Sequence, residues 1–378
     1  MAVMEGLGMA PILGLLHQGT SRHGEVLDDE FPRAFAAYAR DVARRYPWVR
    51  AFAPVNEPLT TARFAGLYGT WYPHARDERS FTRILLNEAL AYRAAARAIR
   101  EVTPDAVILA TEDVGETSST ETLAAQAAFD RARRWLFLDA VTGGLDRHHP
   151  LWEWLLAVGA PERTLDDLAR DPEPPDVLGV HHYPTSDRFL DDRLARYPAW
   201  THGGNGRQAY ADVELLRVLG TPRDGLRAAV LAAWDRYRLP VALTEVHLGG
   251  PAADRRAWWW EAVHTADDLA ASGVDIRAVT AWAAFGSWEW PSLLTRVEGH
   301  YEPGLFDTRR RPPRATSLAA DVAAAAAGRR RSPSRLGWWR QPSRLLYPPV
   351  PANGLDPTPV TPPRALARGG VHQSSAVG

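Results

Sequence analysis

The chain has 378 residues and a net charge of −1, with 46% hydrophobic and 24% charged residues, a balance typical of one large globular domain or two smaller ones. This nearly neutral charge creates no strong field for nucleic acid or an anionic membrane, so we expect neither as a partner. The chain contains no cysteine, and its 44 basic residues include no lysine. Disulfides, thiolate nucleophiles and lysine Schiff bases are therefore excluded.

The beginning of the chain does not match a targeting segment. Residues 1–16 are apolar, but they contain Glu5 and lack a basic stretch, unlike a secretory signal peptide. No run reaches the roughly 18–20 apolar residues of a membrane span. We therefore predict a cytoplasmic protein.

Short apolar runs alternate with amphipathic stretches over residues 1–327. The runs predict six strands: Pro11–His17, Val49–Asn56, Ala106–Glu112, Asp176–Tyr183, Leu239–Glu245 and Ala278–Phe285. The stretches predict helices: Glu30–Tyr46, Ser80–Val102, Leu123–Val141, Asp224–Tyr237 and Asp254–Ala271. This alternation indicates an α/β fold with a parallel sheet, either doubly wound or a (β/α)₈ TIM barrel.

The first long helix has a predicted buried stripe and a predicted cap. The stripe consists of Phe31, Phe35, Tyr38 and Val42. Asp28 or Asp29 is the predicted N-cap. In the last of these helices, three consecutive tryptophans, residues 258–260, are interpreted as packing residues rather than as a sugar platform.

Nearly every apolar run ends in polar or ionisable residues. These ends are His17, Asn56-Glu57, Glu112-Asp113, His181-His182-Tyr183 and Glu245. In a TIM barrel the carboxyl ends of the strands carry the chemistry, so this regularity favours the barrel. A barrel needs eight strands and six are visible, so two strands are either hidden in predicted loops or missing. For Glu112-Asp113, a role in lining the site and a solvated loop are both open.

Two of these strand ends carry a glutamate suited to catalysis. Each of Glu57 and Glu245, taken singly, is compatible with a helix cap or an ion pair with arginine. Asn56 directly precedes Glu57, and Thr244 directly precedes Glu245. The two glutamates and these neighbours, taken together, favour a catalytic role. Glycoside hydrolysis requires two such carboxyl groups across a cleft.

Several segments resemble glycoside hydrolase family 1. Asn56-Glu57-Pro58, followed by Leu67-Tyr-Gly and Trp71-Tyr-Pro, resembles the acid/base segment, and Thr244-Glu245 resembles the nucleophile segment. Further segments match in colinear order: Leu16-His17, Asp176–Tyr183, Ala281-Trp282, Trp288-Glu289-Trp290 and Gly304–Asp307. The resemblance covers about residues 11–325.

The resemblance implies a retaining β-glycoside hydrolase acting by double displacement. In this interpretation Glu245 is the nucleophile and Glu57 the acid/base. The implied substrate-binding residues are His17, Asn56, His181, Tyr183, Trp282, Glu289 and Trp290. Carbohydrate is the expected partner, and we expect no cofactor and no metal. The paired histidines at 148–149 and 181–182 do not suggest a metal, because adjacent side chains on a strand point apart.

Departures from the family pattern imply a divergent subgroup. His17 matches the family's strand three, which predicts an incomplete barrel with strands three to eight present and strands one and two missing. Val246-His247 and Gly286-Ser287 also differ from the family. Divergent family members of this kind resemble the N-terminal half of bacterial fusion proteins whose C-terminal half is a dTDP-4-dehydrorhamnose reductase-like domain. A fused or associated sugar-nucleotide reductase domain is therefore an expected partner, although this chain contains no Gly-x-Gly-x-x-Gly motif.

Two other functions remain open. The chain could be an inactive or sugar-binding glycosidase-like module associated with a nucleotide-sugar reductase. It could also be a different barrel hydrolase, such as an endo-glycanase, which would share both glutamates but not Trp282 with Glu289.

The end of the chain differs in composition from the rest. Residues 1–327 are predicted to form the partial barrel, and the Pro/Arg-rich residues 328–378 a linker or disordered tail. Trp338 and Trp339 are the predicted exceptions, as candidates to dock on the folded part.

Overall fold

A computed structural model describes residues 1–17, 25–218, 224–344 and 347. These residues divide into two compact units. The first unit consists of Met1–Asp113 and Ala132–Gly179, within its described ranges. The second consists of Val114–Arg131 and the described residues from Val180 onward.

The structure contains short strands and longer helices. In chain order the strands are β1 (Ile12–Leu16), β2 (Ala51–Val55), β3 (Val107–Asp113), β4 (Thr117–Ser119), β5 (Val177–His181), β6 (Arg188–Asp191), β7 (His202–Gly204), β8 (Ala209–Glu214), β9 (Val241–Val246), β10 (Ile276–Ala281), β11 (Ser287–Trp288), β12 (Tyr301–Glu302), β13 (Phe306–Asp307) and β14 (Arg314–Ala315). The helices are α1 (Ala2–Gly6), α2 (Phe31–Arg45), α3 (Pro58–Ala62), α4 (Glu78–Val102), α5 (Ala124–Arg133), α6 (Leu136–Thr142), α7 (Trp152–Ala157), α8 (Glu162–Arg170), α9 (Gly225–Tyr237), α10 (Ala252–Ala271) and α11 (Ser317–Ala326).

The six predicted strands are confirmed, and they belong to one sheet with the order β1-β2-β3-β5-β9-β10. In the first unit, β1 pairs with β2 and β2 pairs with β3, both in parallel. In the second unit, β9 pairs with β10 in parallel. The chain passes from the first unit to the second within β5. The α/β class with a parallel sheet is thereby confirmed, whereas the numbering of these strands as three to eight of an incomplete TIM barrel stays a prediction.

The core of the first unit explains why its strands are apolar. Phe52 on β2 and Ile108 on β3 have no exposed surface, as in strands that are covered on both faces. Long amphipathic helices supply much of the cover, and α2 packs extensively against α4.

Two details of helix α2 differ from the prediction. Its buried stripe is Phe31, Phe35, Ala39 and Ala43, while Tyr38 is half exposed. The stripe therefore advances by four residues at each step, and the small alanines allow close contact with the neighbouring helix. The helix begins after Glu30 without a side-chain cap, because the Asp29 carboxylate pairs with Arg83 of α4 instead.

The second unit contains a sheet that the sequence did not predict. It has four strands in the order β4-β6-β8-β7. β6 pairs with β8 in antiparallel register, with Phe189 opposite Val213, and both side chains lie in a local apolar core. These strands are only three to six residues long, so they show little of the alternation that predicts a strand.

The second unit also includes the described part of the Pro/Arg-rich segment. Trp339 is buried, and its ring lies 5.6 Å from that of Trp258 on α10. The Trp339 Nε1–H donates to Glu261 at 3.0 Å. The predicted docking of this tryptophan and the packing role of residues 258–260 are confirmed, since all three α10 tryptophans are buried. Residues 345, 346 and 348–378 lie outside the described residues, and the predicted boundary at 327/328 stays a prediction.

Among the described residues, no helix is both long enough and apolar enough to cross a lipid bilayer. The predicted cytoplasmic location stays a prediction.

Candidate active site

Glu245 lies near the carboxyl end of β9, in the second unit. The Tyr183 hydroxyl donates a hydrogen bond of 2.6 Å to its Oε2. The Nδ1 atom of His181 lies 3.6 Å from the same oxygen. The Glu245 side chain is half-buried, whereas His181 and Tyr183 are both buried. The hydrogen bond from the buried Tyr183 thus orients the Glu245 carboxylate, with His181 beside the same oxygen.

The three polar residues at the end of β5 point in alternating directions, as expected on extended chain. His181 and Tyr183 face Glu245. His182 instead lies next to Gly225, the first residue of α9, as does Asp187. A methyl group added at Gly225 would come within 2.7 Å of the His182 Nε2. Only glycine fits at residue 225 without movement of these side chains.

An aromatic surface follows β10 in the same unit. The Trp282 ring is half-buried, and its centroid lies 5.6 Å from that of Trp290 and 4.8 Å from that of His247. The backbone N–H of Trp282 donates to Val246, the residue after Glu245. The strand pairing therefore connects the aromatic surface to the Glu245 segment.

Glu289 has a constrained position next to this surface. Its backbone has a φ of 58°, which is uncommon for a residue with a side chain. The two carboxylate oxygens accept the backbone N–H groups of Glu298 and Gly299, at 2.6 Å each. The carboxylate is therefore held by the 298–299 loop, and each oxygen keeps one further lone pair.

Asn56 and Glu57 follow β2 in the first unit. Asn56 forms a parallel bridge with Thr111, whose hydroxyl donates to the Asn56 Oδ1 at 3.2 Å. Glu57 has a φ of 41° and donates its backbone N–H to the Thr111 carbonyl. A positive φ at a residue with a side chain costs on the order of 1–3 kcal/mol and is found most often at functional sites. The half-buried Glu57 side chain is aimed by this strained junction between β2 and α3.

Two glutamates of the first unit are fully buried, and one of them holds the start of α3. Glu112 on β3 has no exposed surface, and its Oε2 accepts the backbone N–H of Leu59, in the first turn of α3. A solvated loop at this strand end is therefore excluded. Glu88 on α4 is also fully buried and has no hydrogen-bond partner among the described residues. Burial, together with the nearby charge of Glu112, raises the pKa of Glu88 well above its usual value. Sequence reasoning missed Glu88, because it lies within a helix that reads as ordinary packing.

His17 directly follows β1 and is exposed, and it is the last described residue before residues 18–24. β1 is tied to the Glu57 segment, since the Leu16 carbonyl accepts the backbone N–H of Asn56 at 2.8 Å. The structure thus groups His17, Asn56 and Glu57 at strand ends of the first unit. It groups His181, Tyr183 and Glu245, and separately Trp282, Glu289 and Trp290, in the second.

The chain is similar in fold to family 1 glycoside hydrolases. The β-glucosidase from Thermotoga maritima in complex with deoxynojirimycin matches it with a TM-score of 0.72 at 17% sequence identity, over 88% of this chain and 77% of that one. The family 1 glycoside hydrolase of the same organism, complexed with a cyclophellitol analogue transition state mimic, matches with a TM-score of 0.69 at 18% identity, over 86% and 75% of the two chains. The family resemblance predicted from the motifs is confirmed as a likeness of fold.

No family model matches the sequence, and no curated protein matches it either. The protein therefore has a divergent α/β fold that is similar to that of family 1 glycoside hydrolases. The fused or associated reductase domain stays a prediction.

Proposed function

We propose that the protein hydrolyses β-glycosides with retention of anomeric configuration, using Glu245 as the nucleophile and Glu57 as the acid/base. The observation that carries this proposal is the hydrogen bond from Tyr183 to Glu245 at the carboxyl end of a parallel strand. In folds of this kind, that end of the sheet carries the chemistry.

The surroundings of Glu245 support its role as the nucleophile. A nucleophilic carboxylate must be ionised and must present one oxygen to the anomeric carbon. Tyr183 and His181 both approach Oε2, so the carboxylate is oriented for the attack. The bond from a Glu245 carboxylate oxygen to the anomeric carbon forms as the bond to the leaving oxygen breaks, and a covalent glycosyl-enzyme results.

The position of Glu57 supports its role as the acid/base. Glu57 comes shortly after β2, and Glu245 lies near the carboxyl end of β9. Retention requires the two carboxyl groups to lie about 5–5.5 Å apart. Glu57 would donate its proton to the leaving oxygen and then take a proton from the attacking water. Asn56 would bind the sugar 2-hydroxyl, an interaction that strengthens in the transition state.

The remaining predicted residues would bind the sugar. Trp282 would pack under the apolar face of the ring, as indole rings do with carbohydrates. The hydroxyl groups would contact His17, His181, Glu289 and Trp290. The Glu289 carboxylate suits this role, because its free lone pairs are held in place by the 298–299 backbone.

The test is hydrolysis of 4-nitrophenyl β-glycosides, with retention checked by NMR of the first-formed sugar anomer. We expect Glu245→Gln to lower kcat by a factor of about 10³ or more. Glu57→Gln should spare activated aryl substrates in the first step, and added azide should restore turnover by forming the β-glycosyl azide. Glu153→Gln, at an exposed helix position, is the matched control.

A second measurement tests the nucleophile directly. A 2-deoxy-2-fluoro-β-glycoside with a good leaving group should leave a sugar bound to Glu245, located by mass spectrometry of the digested protein. If turnover is absent in the unchanged protein, or the label falls on another residue, the proposed mechanism is wrong. Sugar binding without turnover would instead favour a non-catalytic glycosidase-like module.

A further inference from the structure

We propose that His247 and Glu302 form a buried positioning pair that fixes the indole ring of Trp282. The inference rests on the proposed function, because it concerns the surface on which the sugar would lie. Neither residue is expected to contact the reacting atoms.

The pair is well shielded from water. His247 lies two residues after Glu245 and is 3% exposed, and Glu302 on β12 is 5% exposed. The His247 Nε2 and the Glu302 Oε2 are 3.2 Å apart. A carboxylate accepts a hydrogen bond only from a protonated ring nitrogen, so Glu302 holds the His247 proton on Nε2 and sets the plane of the ring.

The oriented imidazole meets the indole edge to face. The ring centroids of His247 and Trp282 are 4.8 Å apart and the planes are inclined by 69°. This geometry is the favourable one for two aromatic rings, and it depends on the orientation of both. With Trp290 at 5.6 Å as its other aromatic neighbour, Trp282 is confined while part of its surface stays exposed.

Glu302 is itself fixed by backbone structure. β12 pairs with β11, with Ser287 opposite Glu302, and the second carboxylate oxygen lies 3.4 Å from the His300 Nε2. Arg255 is buried and attracted by the charge of Glu302, and it donates to the carbonyl of the next residue, Pro303. The 300–303 segment thus determines the orientation of Trp282 through one histidine.

The first test separates binding from chemistry. We expect His247→Ala and Glu302→Gln to raise KM for a 4-nitrophenyl β-glycoside by about three- to tenfold, the size of one aromatic contact, with kcat changed less than KM. His247→Phe, which keeps an aromatic edge against Trp282, should recover part of the loss. His264→Ala is the control, since His264 also lies beside a tryptophan, Trp260 on α10, with ring centroids 5.9 Å apart.

The second test does not require activity. Protein labelled with 5-fluorotryptophan gives ¹⁹F NMR signals, and Trp282→Phe identifies the signal of Trp282. We expect His247→Ala and Glu302→Gln to shift or broaden that signal, while His264→Ala leaves it unchanged. An unchanged Trp282 signal in both variants overturns the inference. Absence of turnover in the unchanged protein overturns only the proposed function, because the NMR comparison still reports on the pair.

Discussion

The Tyr183 hydroxyl lies 2.6 Å from the Glu245 Oε2, although the two residues are 62 positions apart in sequence. Tyr183 is held in turn by Ser186, whose hydroxyl accepts the Tyr183 backbone N–H at 3.0 Å and whose own N–H donates to the Tyr183 carbonyl. A tight turn therefore aims the hydroxyl at the carboxylate. Because the phenol is buried, this bond forms where competition from water is weak.

Tyr183→Phe should lower kcat with little change in KM. Loss of a hydrogen bond to a charged group costs about 1.5–3 kcal/mol, or about a 10- to 100-fold loss in rate if the bond matters mainly in the transition state. Kinetics on aryl β-glycosides measure this, with Tyr38→Phe, at a tyrosine that is half exposed on α2, as the matched control. An unchanged kcat would show that Tyr183 does not orient the nucleophile.

Asp191→Asn should flatten the dependence of stability on pH. Burial raises the pKa of Asp191 to about 7, despite hydrogen bonds from Tyr197 and Arg193 that favour the ionised form. In the unfolded chain this pKa is about 3.9, so between about pH 4 and 7 the folded protein holds a proton that the unfolded chain has lost. The free energy of unfolding therefore falls as the pH rises through this window, by up to about 1.4 kcal/mol per pH unit.

Urea denaturation at several pH values between 4 and 8 checks this expectation. The difference between the unchanged protein and Asp191→Asn should vary across the window and level off above about pH 7. The exposed Asp235→Asn should show no such change relative to the unchanged protein. A constant offset for Asp191→Asn at every pH would contradict the raised pKa.

Gly225→Ala should destabilise the second unit, although alanine is usually the better helix residue. The added methyl group would lie 2.5 Å from the Asp187 Oδ2, and that carboxylate is buried and bonded to the Glu116 backbone N–H. Overpacking of this kind costs about 1–3 kcal/mol. Denaturant unfolding provides the measurement. Gly14→Ala, with nothing within 4 Å of the new methyl group, should be nearly neutral, and equal effects of the two changes would refute the steric explanation.

Trp339→Ala should reveal how much the described end of the chain contributes to stability. Trp339 is 5% exposed and contacts both Trp258 and Glu261 on α10. Truncating a buried tryptophan costs about 3–5 kcal/mol. Thermal unfolding and the rate of tryptic cleavage after Arg335 report on the docking. Trp200→Ala, at a residue that is 60% exposed, is the comparison, and similar losses for both would argue against a specific docking site.

Some of the site could not be predicted because its contacts join residues far apart in sequence. Glu88 has no local signal for burial beside Glu112, since a glutamate in an amphipathic helix normally faces water. The Glu289 carboxylate accepts hydrogen bonds from the backbone N–H groups of residues 298 and 299, and the backbone of Glu289 is in the left-handed region. Neither feature has a periodicity that a sequence pattern can show.

The amino-acid sequence by itself determined the main strands and their chemistry-bearing ends. Strands covered on both faces must be continuously apolar, and a glutamate at the end of such a run stands out. Only the tertiary structure decided which side chains orient that chemistry, as Tyr183 does for Glu245 and Glu302 for His247. Hydrogen bonds at 2.6 and 3.2 Å require positions correct to a fraction of an ångström, and packing of distant segments supplies that precision.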